Sequence, residues 1–308
     1  MSNGMTTDFP HLADIVGLSV LEQAVLISEE VVKIQDDFCD HGNRRHARLK
    51  YTIEDRGVEW FKQVLNNRLG RRLNKPCEFL FDSSTDPYRC IADKDGRRAY
   101  GLLVQRGRLR DQGEINSRQA ISQLTLEIVF ELRLTANQNL VIARIPPVNQ
   151  EKVDEILKEG MICLPYHLTG LRLNSIYFTD LPNCSIAIAK TLRFMLDLVD
   201  ELVEMLCKFG LREESIIIRS TGFSYPNGCG LPYLGEIGLV GKVPEKYNLY
   251  LGGGLDGMPL NKLYLKAITQ EEIVAESNPI QDNYAGNRSD RERFGGFCIC
   301  SGYVKVAD

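Results

Sequence analysis

The sequence predicts an α+β protein, and three observations predict it. Two short apolar runs flank an Asp95-Gly96 turn, the signature of a hairpin. A long stretch with a helical apolar stripe follows in the second half, through Leu192, Met195, Val199, Leu202 and Leu206. After it come several strand-like runs punctuated by glycine, with no strict alternation of strand and helix. Strands that cluster in this way form largely antiparallel sheets with helices on one face.

The elements follow in order. Leu18 to Ile34 carries apolar residues at helical spacing, with Leu21, Val25 and Val32 predicted on one face. The basic segment "HGNRRHARLKY" comes next, then a helix, "IEDRGVEWFKQVLNNRLG", that stops at Gly70. Residues 71–88 are polar and turn-rich and read as a connection. "CIADKDGRRAYGLLVQRGRLRDQG" gives the hairpin and an exposed strand end, and "SRQAISQLTLEIVFEL" a helix. "RLTANQNLVIARIP" ends in a buried strand, Leu140 to Ile145, and Glu151 to Glu159 is a short helix. This β-β-α-β-α order is that of a small unit with an antiparallel sheet.

In the second half, Ser185 to Phe209 reads as the clearest helix, with Gly210 as its stop. "SIIIRSTG", "LGEIGLVGK" and "KYNLYLGGG" are strands. "EEIVAESNPIQDNYA" is a helix interrupted at Pro279, and "GFCICSGYVKV" reads as a last strand.

Composition sets limits. With 308 residues, 44% apolar and 25% charged, the chain has the make-up of an ordinary globular protein with room for two domains. A net charge of −4 argues against broad nucleic-acid binding, and no apolar run reaches membrane-span length. The N-terminus lacks a charged region followed by an apolar one, so no secretory signal is read there. Nine cysteines, an odd number at irregular spacing, do not form a disulfide framework. The expected location is the reducing cytoplasm.

Several residues are candidates for chemistry. Cys229 follows the turn Pro226-Asn227-Gly228, and Cys184 directly precedes the long helix. A thiolate at a helix start feels the free N–H groups there, so both cysteines suit a soft metal; the alternative is two core thiols. Arg44, Arg45, His46, Arg48 and Lys50 are either a solvated face or a clamp for a polyanion, since guanidinium groups bind carboxylates bidentately. "LGGGLDG" matches a dinucleotide-binding pattern at Gly252, Gly254 and Gly257, but no β-α-β unit completes it. Cys39, His41 and His46 have no partner pair at zinc spacing, and Cys298 and Cys300 are read as sharing one face of a strand.

"STGFSYPNGCGLPYLGEIGLVGKVPEKYNLYLGGGLDGMPLNKLY" resembles the C-terminal signature of the assimilatory sulfite and nitrite reductases. "RRHARLKYTIEDRGVEWFK", "LRLTANQNLVIARIP", "TGLRLNS" and "LPNCSIAIAKTLRF" resemble further blocks of that family in the same order. The nearest flavour is the haemoprotein (beta) subunit of NADPH sulfite reductase, C-terminal half only. The resemblance implies a ferredoxin-like half-domain at 85–150, then a sirohaem/[4Fe–4S]-type α+β domain at 160–308. Residues 1–84 would be the helical remnant of a preceding reductase domain and a linker.

The implied cofactors are sirohaem and a [4Fe–4S] cluster, and the implied reaction is the six-electron reduction of sulfite to sulfide in sulfate assimilation. Sulfite would be the substrate, and the partners a flavoprotein subunit or a separate first-half chain. Family members hold the cluster with four thiolates, one per iron. Cys184 matches the second member of the first pair, and Cys229 the cysteine that bridges to the sirohaem iron. Phe178 and Tyr225 stand at the other two positions, and Phe223-Ser224-Tyr225 contains a two-residue insertion. Arg44 and Arg45 match the segment that meets sirohaem carboxylates; Arg133, Asn137 and Gln138 match the block lining the haem pocket, and Asn227 lies in the cluster turn. The substituted ligands imply impaired activity of the chain alone. The alternative is a non-catalytic, decayed paralogue or partner-binding fragment.

Overall fold

The computed structural model describes residues 9–305 except 79–82, 87, 89–90, 163–167, 178–186, 188–190 and 223–228. The chain divides into two compact units, the first Met1–Phe81, the second beginning at Asp82.

The first unit is helical: α1 (Ala24–Phe38), α2 (Leu49–Arg56) and α3 (Val58–Leu69). Gly57, at φ 86°, breaks the run expected as one helix into α2 and α3. Gly70 ends α3 in the left-handed conformation, as its sequence position predicts. Val31, Ile34, Ile53, Phe61 and Leu65 form the core, and Trp60 sets its edge on Phe38. The buried face of α1 differs from expectation. The helix carries two apolar stripes, and the stripe Ile27, Val31, Ile34 packs into the core. Leu21 and Val25 are 84% and 80% exposed, and Leu18, Leu26 and Val32 are exposed with them.

The second unit contains two main sheets. In the first, β1 (Ile91–Ala92), β2 (Arg98–Leu102), β5 (Glu131–Leu134) and β6 (Leu140–Ile145) form an antiparallel sheet of order β1-β2-β6-β5. The Asp95-Gly96 hairpin is held by Asp93, whose carboxylate accepts from the N–H groups of Asp95 and Arg97. A two-stranded ribbon, β3 (Asp111–Gln112) and β4 (Ile115–Asn116), leads into α4 (Ser117–Glu127). Leu124 from α4 and Leu157 from α5 (Gln150–Glu159) are buried with Leu102, Ile142 and Ile145.

The second sheet follows α6 (Gly170–Leu173). It comprises β7 (Ser175–Tyr177), β8 (Ile218–Thr221), β9 (Ile237–Val243), β10 (Lys246–Leu251) and β11 (Lys262–Ile268), in the order β11-β10-β9-β8-β7. The β7–β8 and β8–β9 pairs are parallel and the rest antiparallel. Of the stripe predicted on the long helix α7 (Thr191–Lys208), Met195, Val199, Leu202 and Leu206 are buried with Ile218, Leu239 and Leu249, and the Leu192 side chain lies outside the described residues.

Two expectations change, and a third reading, that no β-α-β unit completes "LGGGLDG", agrees with the structure. "GFCICSGYVKV" forms helix α9 (Phe294–Cys300), not a strand; a seven-residue apolar run fits either period, and α9 buries Phe294, Phe297 and Cys298 while exposing Cys300. Cys298 and Cys300 therefore do not share a face. Helix α8 (Gln270–Asn287) runs through Pro279 without interruption. Its capping box, Thr269 with Glu272, and the burial of Ile273, Ile280 and Tyr284 on both sides of the proline outweigh one lost hydrogen bond. Finally, the chain after "LGGGLDG" enters strand β11 instead of a helix, so the dinucleotide pattern lacks its structural context. Those glycines serve close packing: a Cβ on Gly253 would sit 2.2 Å from the carbonyl oxygen of Gly235.

Candidate functional site

The parallel pair β7–β8 defines the site's geometry. Ser175 lies opposite Ile218, Ile176 opposite Arg219 and Tyr177 opposite Ser220. Parallel strands end on the same side of their sheet, and ligands of such sheets bind outside the carboxyl ends. The segment leaving β7 leads on to Phe178 and Cys184, and the segment leaving β8 to Tyr225, Asn227 and Cys229. Phe178, Cys184, Tyr225 and Asn227 lie outside the described residues. Cys229 is a free, exposed thiol in a turn with Gly230.

Gly230 fixes how that turn meets the strand. A Cβ there would approach the carbonyl oxygen of Ser220 to 2.1 Å, so only glycine lets the two backbones touch. Beyond it, Asn261 donates through its buried amide nitrogen to the carbonyls of Pro232 (2.7 Å) and Gly235 (2.8 Å), tying the loop to the sheet. Arg219, on the same strand end, has a buried Nε with no hydrogen-bond partner.

A cavity adjoins this end of the sheet. Tyr177, the last residue of β7, lines it together with Val104, Gly107, Asn137, Gln138, Asn139 and Arg172. The "TANQN" turn that forms one wall is held from inside. Asn139 donates to Asp86 Oδ2 (2.7 Å) and to the Tyr88 hydroxyl (2.8 Å) and accepts from the Val104 N–H (2.9 Å). Asn137 donates to the Ser84 carbonyl and to Asp86 Oδ1, and Thr135 donates to Asp86 Oδ2. Tyr88 donates onward to the Leu173 carbonyl; burial, with the Asp86 carboxylate beside it, pushes its pKa up.

Gln138 differs from its neighbours. Its φ is 67°, a left-handed conformation that costs a non-glycine residue energy. It packs against Gly107, and its side chain makes no hydrogen bond among the described residues. Asn137 and Asn139 thus hold the turn, while Gln138 is the amide left to face the cavity. A strained residue in a pocket wall is a functional signal. Arg133 does not join it: on the exposed edge strand β5 its guanidinium pairs with Glu131 at 2.7 Å.

In the first unit, Arg44 and Arg45 occupy an exposed turn after α1, where the Arg45 N–H donates to Asn43 Oδ1. Lys50, read with the basic segment as either a solvated face or part of a clamp, is buried, at 1% exposure. Its ammonium donates to the Phe9 carbonyl and lies over the rings of Phe9 and Tyr51. A buried lysine is rare and points to a role. Its sequence signal was weak, because one more lysine in a basic run looks solvated. Cys39 Sγ lies 3.6 Å from His41 Nε2, but no group of three or more His, Cys, Asp or Glu side chains among the described residues could hold a metal ion. Among these residues no helix is long and apolar enough to cross a membrane.

Comparison with known proteins agrees with this architecture. The family description "Nitrite and sulphite reductase 4Fe-4S domain" matches residues 4–73, within the segment expected to be the remnant of a preceding reductase domain. The chain is 40% identical over 306 residues to the sulfite reductase [NADPH] hemoprotein beta-component of Paenibacillus sp. (strain JDR-2), covering 99% of this chain and 53% of that protein. It is 39% identical to the protein of the same name in Methylorubrum extorquens (strain PA1), covering 99% of this chain and 49% of the relative. Among solved structures, Mycobacterium tuberculosis NirA superimposes with a TM-score of 0.82 at 25% identity, covering 97% of this chain and 56% of NirA.

The fold is that of the nitrite and sulfite reductases, and the matches support the sulfite and nitrite reductase family for this chain. It spans about half the length of the curated relatives it matches. Family resemblance supports sirohaem and a [4Fe–4S] cluster as the cofactors. The residues match the two groups in part. Polar donors suited to carboxylates are present at Gln138 and, on the opposite face of the sheet, at Arg219, but the cavity that Gln138 lines has a volume of only about 30 Å³, too little for a tetrapyrrole. The cluster's donor set is incomplete: of the four matching positions, two hold cysteine, and the other two hold phenylalanine and tyrosine.

Proposed function

We propose that this chain is the C-terminal half of a sulfite reductase haemoprotein, with its site at the carboxyl ends of β7 and β8 and beside the adjoining cavity. The observation that carries this reading is the parallel β7–β8 pair, which delivers both segments holding the family's cysteines to one edge of one sheet. On this reading residues 1–84 belong to a preceding reductase domain, 85–150 to a ferredoxin-like half-domain and 160–308 to the cofactor domain.

The whole reaction is the six-electron reduction of sulfite to sulfide, in which the sirohaem iron supplies the sulfur-binding site. This chain's own residues would orient the tetrapyrrole. Gln138 in the cavity wall and the exposed Cys229 thiol at the turn after β8 would be the residues that meet it. Phe178 cannot ligate iron, and a Tyr225 phenolate is a hard ligand ill-suited to an iron–sulfur cluster. Cluster retention in the isolated chain is therefore impaired. A separate first-half chain and a flavoprotein component are the partners that would complete activity.

The test is anaerobic reconstitution of the purified chain with iron, sulfide and sirohaem, read by absorption spectrum, iron content and sulfide production from a supplied electron donor. The reading expects bound sirohaem, low iron beyond the haem and no measurable sulfide from the chain alone. A chain that remains colourless favours the second reading, a non-catalytic paralogue that keeps the fold.

A further inference from the structure

We infer that Arg219 is an anion-binding residue at the carboxyl end of β8, placed to take one oxyanion or carboxylate of a bound ligand; the inference rests on the site assignment above. Arg219 lies in a central strand of the second sheet, in register with Ile176 on β7 and Gly238 on β9. Its neighbours Ile218 and Ser220 face the other way, where Ile218 joins the hydrophobic core under α7. Arg219 therefore points to the opposite face.

On that face its Nε is sealed from water and makes no hydrogen bond. Among the described residues no carboxylate pairs with its guanidinium, in contrast to Arg293, which the buried Glu236 engages through both oxygens. Burial disfavours the charged form of Arg219 and lowers its pKa. A guanidinium does not give up its charge at ordinary pH, so the fold carries an uncompensated cation at a cost in stability. The residue as a whole keeps partial exposure, so one side remains open to a ligand.

Arg219 faces away from the cavity lined by Tyr177, Leu196 and Val199, and its neighbours are those of the cysteine turn. Gly235 packs on the Arg219 backbone, and the Cys229–Gly230 turn sits on Ser220, the next residue. Both parallel strands that lead to the cysteine segments flank or include Arg219. A partnerless cation there is complementary to an anion, and planar oxyanions and carboxylates are the groups a guanidinium binds best.

The test uses the full chain without cofactor. Thermal unfolding is measured for the wild type, Arg219→Met and Arg219→Lys, each alone, with inorganic sulfate, and with sirohydrochlorin as a carboxylate-bearing tetrapyrrole without iron. The inference expects Arg219→Met to melt higher than wild type in the absence of ligand, because an uncompensated buried charge is gone. It expects the wild type to be stabilised by at least one of the two anions, Arg219→Met to lose at least tenfold in affinity for it, and Arg219→Lys to recover part of that loss. Response to sulfate identifies a small-oxyanion site; response to sirohydrochlorin alone identifies a tetrapyrrole carboxylate. A lower melting temperature for Arg219→Met with unchanged anion response means a structural arginine and overturns the inference. A wild type that responds to neither anion overturns it as well. Because no iron, cluster or turnover enters this test, its failure is distinguishable from failure of the reductase reading.

Discussion

Tyr177 and Ser220 lie directly opposite each other in the parallel strands β7 and β8, and each stands where its strand is about to leave the sheet. Tyr177 also lines the cavity walled by Gln138, and Ser220 carries the contact with Gly230. One pair of residues thus joins the cysteine turn to the cavity walled by Gln138.

The contact at Gly230 makes a sharp prediction. Gly230→Ala places a Cβ 2.1 Å from the Ser220 carbonyl, so the backbone must move. Overpacking of this kind costs about 1–3 kcal/mol. Urea unfolding should show that loss, and sirohaem uptake should fall with it as the Cys229 turn shifts.

Gln138 and Asn139 should separate fold from function. Gln138→Gly relieves a left-handed backbone at φ 67° and should raise stability by up to about 1 kcal/mol while weakening sirohaem binding. Asn139→Ala removes bonds to Asp86, Tyr88 and Val104 and should cost about 1–3 kcal/mol. Chemical denaturation and a sirohaem titration by absorbance check both.

Glu236 is 1% exposed and gathers Arg293 and the N–H groups of Ile217 and Gly295 around its carboxylate. Glu236→Ala strands those donors. The loss should be about 3 kcal/mol, the lower end for a broken buried pair, since Arg293 keeps a third of its surface. Thermal unfolding measures it.

Alkaline stability follows from two groups. Burial raises the pKa of the Cys298 thiol, and burial with Asp86 raises that of Tyr88. Both favour the protonated, folded state. Their contribution is full below the unfolded values, about 8.5 for a thiol and about 10 for a phenol, and is lost as pH rises past them. Stability should therefore fall above about pH 8.5, with Cys298→Ala removing the earlier part of the fall. In the native chain at pH 8, iodoacetamide should modify Cys229 and Cys300 and spare Cys298.

Much of this fold was legible because its signals are local. Gly70 and Gly210 stop helices, Asp95-Gly96 makes a hairpin, and a regular stripe marks α7. The misread elements are those decided by tertiary packing. "FGGFCIC" fits either period, and α1 offers two apolar stripes of which the core takes one; "KLYLKAI", for which no element is predicted, shows no clean alternation of burial as β11. For the candidate site, motif resemblance drew attention to Cys229 and the "TANQN" turn. The roles within the turn were not legible, because only the hydrogen-bond network shows Asn137 and Asn139 engaged and Gln138 free. Arg219 gave no signal at all, since a single arginine in a strand reads as solvated until its burial is known.

On the proposed reading, the segments that follow the parallel strands β7 and β8 carry Cys184 and Cys229 to a shared site. The direct measurement is thiol bridging in the native chain with dibromobimane, which becomes strongly fluorescent on linking two neighbouring thiols, followed by peptide mass mapping. The account predicts a bridged 184–229 peptide, absent from Cys184→Ser and from the urea-unfolded chain. Singly labelled Cys184 and Cys229 with no bridge between them would contradict it.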